Sequence, residues 1–137
     1  MKIRDMIGQG KPTLSFEVFP PKTEANYESV EKAALEIGKL HPSFMSVTYG
    51  AGGGTSDYTV KIASDLQENC GVTPLAHLTC VSSTREKVQQ VLNELKEHKI
   101  ENILALRGDK PKDCTPIGEG DFKYAQDLIS YVKEKRE

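Results

Sequence analysis

Long apolar runs are missing from this sequence: no stretch approaches the roughly 20 residues needed to cross a bilayer. The opening residues, MKIRDMIGQGKP, mix charge with glycine and hold no apolar h-region, so no secretory signal is expected. Neither sign of charge is in excess. With 18 basic and 20 acidic side chains the formal charge is −2, which gives nucleic acid or an anionic membrane no reason to be a partner. The three cysteines, Cys70, Cys80 and Cys114, contain no CxxC pair and leave one thiol over in any disulfide scheme, as expected of a reduced cytoplasmic protein. His41, His77 and His98 lie far apart with no cysteine at ligand spacing, so no metal site is expected. The run Gly52-Gly53-Gly54 lacks the GK[ST] of a phosphate-binding loop, and no GxGxxG follows the first strand.

What is present is a repeat. Four short β-branched and apolar runs, 13–19 (TLSFEVF), 43–49 (SFMSVTY), 73–80 (TPLAHLTC) and 102–107 (NILALR), each precede an amphipathic stretch. The polar residues near their ends, Glu17, Thr48, Thr79 and Arg107, are spaced by 31, 31 and 28 residues, close to the length of a βαβ unit. Helical stripes lie between: Val30, Ala33, Ala34, Ile37 and Leu40, closed by Pro42; Thr59, Ile62, Ala63 and Leu66, with Gly71 at C′; Val88, Val91, Leu92 and Leu95, with Ser83 and Glu86 as a capping box; and Ala125, Leu128, Ile129 and Val132, with Asp121 as N-cap. Alternating strands and helices give an α/β fold with a parallel sheet. The even repeat, without a long switch-point connection, favours a parallel (β/α)8 TIM-type barrel over an open doubly wound sheet. The chain holds about the first four βα units of such a barrel, a single domain of 137 residues (1–137). Two open sheet edges should then seek another strand.

In such folds chemistry collects at the carboxyl ends of strands. Glu17, between Phe16 and Val18, is either a partly dehydrated acid or the ion-pair partner of a strand-end arginine such as Arg107. After the second strand, residues 49–56 (YGAGGGTS) allow close backbone approach to a planar or phosphorylated ligand, although any tight loop tolerates glycine. His77 alone suggests a hydrogen-bonded core histidine, and Cys80 a small buried residue. Arg107 and Asp109 flank Gly108, and the connection to Gly120 exceeds the usual 2–6 residues, as a binding loop would. The RGD tripeptide has no adhesive meaning without export. No strand end carries the lysine that an aldolase-type barrel would need.

Together the segments SFEVFPPKT (15–23), SVTYGAGG (46–53), HLTC (77–80) and ALRGD (105–109) resemble the methylenetetrahydrofolate reductases, in order and spacing over nearly the whole chain. Val18 departs from the family's usual phenylalanine, but in a strand it faces away from Glu17. The resemblance implies the N-terminal half of a catalytic barrel that binds FAD. It also implies that NAD(P)H reduces the flavin, which then passes hydride to 5,10-methylenetetrahydrofolate to give 5-methyltetrahydrofolate, the one-carbon unit of methionine biosynthesis. Under it Glu17 is the catalytic acid that assists opening of the folate imidazolidine ring, and Asp109 contacts the pterin beside the flavin. Tyr49, Ala51, His77, Arg107, Gly108 and Ala125 fall on flavin-contacting positions, and Thr48 on one that also meets the nicotinamide. Expected partners are these small molecules and either a second copy of the chain or a complementary C-terminal half. The alternative is a non-catalytic half-barrel that holds no flavin by itself.

Overall fold

The computed structural model describes residues 1–49, 56–81, 83–109 and 121–135. Among the described residues four strands, β1 (Ser15–Val18), β2 (Phe44–Val47), β3 (Pro74–Thr79) and β4 (Asn102–Leu106), alternate with four α-helices, α1 (Tyr27–Gly38), α2 (Ser56–Cys70), α3 (Arg85–Glu97) and α4 (Ala125–Lys135). All neighbouring strands pair in parallel in the order β1-β2-β3-β4. That order has no reversal, so with the usual right-handed crossovers the helices fall on one face of the sheet. A doubly wound sheet would need a reversal. Among the described residues no helix is long and apolar enough to cross a membrane.

Period-two alternation divides the strand residues between two unlike faces. Val18, Met45, Val47, Ala76 and Leu78 are buried beneath the helices with Ile62, Leu66, Val88, Leu95 and Leu128. Burial at about 25 cal/mol per Å² makes this layer the main source of stability. The register puts Glu17 beside Ser46, Ser46 beside Leu75, and His77 beside Leu104, all on the other, helix-free face. This face is only partly covered, and Leu104 is 39% exposed.

Local differences from the sequence expectation have identifiable causes. Helix α1 stops at Gly38, and His41 takes a left-handed φ of 55°, so Leu40 leaves the apolar stripe and is exposed. Gly38 is buried because α1 and α2 approach closely there: a Cβ on it would lie 2.8 Å from Cys70 Sγ. Tyr27 opens α1 as a core residue absent from the expected stripe, its ring 5.2 Å from that of Tyr58 and capped by Lys61 Nζ at 4.2 Å. Gly71 has the expected positive φ, 65°, just past α2.

Both expected N-caps shift. The cap of α3 is Thr84, whose Oγ1 accepts from Lys87 N at 3.1 Å, while Ser83 Oγ donates to Thr79 O. Asp121 does not cap α4; its Oδ2 accepts from Arg85 N at 2.7 Å, at the start of α3. Asp127 instead accepts from Tyr124 N ahead of α4. At the opposite end of the sheet, a 3-10 turn over Ile3–Asp5 is clasped by Asn102, whose side chain accepts from Ile3 N and donates to Met1 O, each at 2.9 Å.

Candidate functional site

Three polar side chains from three strands meet on the helix-free face. Ser46 Oγ donates to Glu17 Oε2 at 2.9 Å, and His77 Nε2 lies 3.6 Å from the same oxygen. The alternation of β1 explains the placement: Phe16 and Val18 point towards the helices and leave Glu17 alone on the open side. This overturns the expectation that its chain neighbours dehydrate it, since its side chain is 47% exposed. Pairing with Arg107 is not found either. Among the described residues, Ser46 and His77 face the carboxylate.

His77 is buried, and its Nε2 has no hydrogen-bond partner among the described residues. At 3.6 Å the contact with Glu17 is electrostatic rather than a hydrogen bond. Burial lowers the imidazole pKa, and the Glu17 charge only partly opposes this. The neutral ring is therefore favoured, and its buried Nε2 is left without a hydrogen-bond partner among the described residues.

Thr48 and Tyr49 follow β2. Thr48 N extends the ladder to Val18 O at 3.0 Å, its carbonyl accepts from Thr59 Oγ1 at 2.9 Å, and both Thr48 and Tyr49 are half-buried. Arg107, Gly108 and Asp109 follow β4 in the same direction. Val81 N and Cys80 Sγ both donate to Arg107 O, at 3.0 and 3.2 Å, and burial pushes the Cys80 thiol pKa up. Gly108 has φ +82°, and a Cβ there would stand 3.2 Å from Thr79 Cβ. The Arg107 and Asp109 side chains are exposed. Ala125 is the half-buried first residue of α4. Ala51, the glycine run 52–54, Cys114 and the loop 110–120 lie outside the described residues.

Ser46 was not among the expected site residues. Its signal is a hydroxyl within FMSV at the same parity as Thr48, a polar group where a strand buried on both faces would be apolar.

The Glu17 carboxylate, the Ser46 hydroxyl and the buried His77 imidazole are therefore brought together on one face of the sheet. The family model for methylenetetrahydrofolate reductase matches residues 2–137. The chain belongs to the methylenetetrahydrofolate reductase family. It is 39% identical over 136 residues to "Methylenetetrahydrofolate reductase (NADH) 1" of Arabidopsis thaliana, covering 98% of this chain and 23% of that protein. Over 126 residues it is 39% identical to "5,10-methylenetetrahydrofolate reductase" of Pectobacterium carotovorum subsp. carotovorum, covering 92% of this chain and 41% of that protein. "Methylenetetrahydrofolate reductase 2" of Saccharomyces cerevisiae is 37% identical over 145 residues, covering 98% of this chain and 24% of that protein. The chain thus spans less than half the length of these relatives.

Proposed function

We propose that this chain forms the first half of a (β/α)8 catalytic barrel that reduces 5,10-methylenetetrahydrofolate to 5-methyltetrahydrofolate at a bound FAD, with NAD(P)H as electron source. Family membership supports the reaction class. The observation that carries the assignment within this chain is Glu17, isolated on the helix-free face towards the strand ends and held there by Ser46.

The residues fit a flavin in one respect that geometry can test. His77 presents a buried, unpartnered Nε2 on the same face as Glu17, a polar atom that a ring heteroatom would satisfy. Thr48, Tyr49, His77, Arg107, Gly108 and Ala125, with Ala51, would hold the cofactor. Bound flavin supplies the hydride.

Glu17, in its protonated form, gives its proton to the leaving ring nitrogen as the carbon–nitrogen bond of the imidazolidine breaks and the electron pair goes to that nitrogen. The resulting iminium carbon is the hydride acceptor. Asp109 would meet the pterin, where a carboxylate can accept hydrogen bonds from its amino and ring N–H groups. The free thiols Cys70 and Cys80 suit a reducing cytoplasm.

Stopped-flow measurement of the two half-reactions in the full-length reductase tests the assignment. Glu17→Gln should lower folate reduction by about 10²-fold or more while leaving flavin reduction by NAD(P)H near its original rate, because only the former needs a proton donor. Equal losses in both would make Glu17 a structural residue.

A further inference from the structure

Ser46 is buried at 8% exposure, yet its hydroxyl is directed across the sheet at the carboxylate of the neighbouring strand. The register fixes this pairing, since Glu17 and Ser46 are direct partners in the β1–β2 ladder and share a face. Among the described residues, both close contacts of Glu17, with Ser46 Oγ at 2.9 Å and His77 Nε2 at 3.6 Å, are made by the same oxygen, Oε2. A half-exposed glutamate has several rotamers open to it, and a single charge-assisted hydrogen bond at one oxygen selects among them. We propose that Ser46 is the positioning residue for Glu17: its hydroxyl anchors Oε2 beside His77 and leaves Oε1 as the oxygen that carries the proton to substrate. This rests on Glu17 being the general acid.

The anchor has a consequence that can be read without turnover. The charge acting on His77 among the described residues is that of Glu17, which raises the imidazole pKa against the lowering by burial. If Ser46 holds the carboxylate there, freeing it lets the side chain turn into solvent and withdraws that support. In this chain, histidine-resolved NMR titration should then show His77 of Ser46→Ala protonating at lower pH than wild type, in the same direction as Glu17→Gln. Ser46→Thr, which keeps the hydroxyl, should return it towards wild type. Ser46→Cys preserves volume but donates weakly, and carries the same expectation as alanine should that variant loosen the sheet.

In the full-length reductase Ser46→Ala should lower kcat of folate reduction about tenfold and change its pH profile, with flavin reduction unaffected, because a misdirected acid slows only the proton-dependent step. A His77 titration that moves with Glu17→Gln but not with Ser46→Ala or Ser46→Cys overturns the anchoring role. Full folate reduction in Glu17→Gln instead overturns the general-acid assignment, whatever Ser46 does.

Discussion

At the residue scale, the chemistry turns on how a strand sorts its neighbours. Glu17 was conspicuous in the sequence as a carboxylate between apolar residues, but adjacency along a strand is not contact. Its environment comes from β2 and β3, 29 and about 60 residues away, and that is why its true partners, Ser46 and His77, escaped a local reading. His77 was legible as a strand histidine and illegible as half of a pair. Its burial makes a prediction about pH. The folded chain resists protonating the ring, whereas the unfolded chain takes a proton near the ordinary imidazole value of about 6.5. Below that value the unfolded state binds more protons, so stability falls with falling pH until the depressed folded-state pKa is passed, and then levels. Replacing the ring by His77→Asn should flatten this part of the profile. Urea midpoints between pH 7.5 and 5, compared for the two proteins, measure it (about the range over which imidazole titrates). Parallel slopes would mean that the ring is solvated in the folded chain.

At the element scale, periodicity carried most of the information. Thr59, Ile62, Ala63 and Leu66 are buried as their 3.6-residue spacing requires, and so are Val88, Val91 and Leu95, with Leu92 half-buried; Ala33 and Ile129 of the other two stripes are exposed, while all four strands fall within the expected runs. The ends were less legible. Gly71 could be foreseen because a left-handed C′ residue is a strictly local demand. The cap of α3 could not, because half of it arrives from Asp121, 36 residues further along the chain. Thr84 satisfies the amide of Lys87, while Asp121 satisfies that of Arg85 and brings a negative charge to the positive end of the helix dipole. Asp121→Ala should therefore destabilise the fold by about 1 kcal/mol, with Asp121→Asn costing less because it keeps an acceptor. Urea denaturation reads both; equal effects would assign the whole contribution to charge. Asp121 also ties the segment entering α4 to α3, its own N–H donating to Ser83 O at 3.1 Å.

At the scale of the whole molecule, the four βα units among the described residues build one well-covered face and leave the other partly open. Met45 is fully buried, because it shares the helix-facing parity of Val47. Leu14 and Leu104 are exposed at 62% and 39%. A groove of ≈ 450 Å³ runs beside β4, lined by Leu75, Leu104 and Ala105 and by Ile103 and Ile129 near α4. It combines the open edge of β4 with these apolar side chains, while Lys2, Arg4, Glu101 and Lys133 add charge to its lining. Strand β1 ends the sheet on the other side in the same way. In the full-length relatives further chain is available to cover these surfaces. In this chain by itself, two copies joined edge to edge would pair the free N–H and C=O groups of β1 and β4 and bury the leucines of the open face together. The 137-residue chain should accordingly form a dimer or larger assembly, or be poorly soluble. Sedimentation equilibrium over a wide concentration range distinguishes the outcomes. Leu104→Lys, which places a charge on the open face without disturbing the helix-covered core, should weaken the association. A cooperatively folding monomer at every concentration would show that the exposed edges and leucines need no partner, and the half-barrel account of this surface would then be wrong.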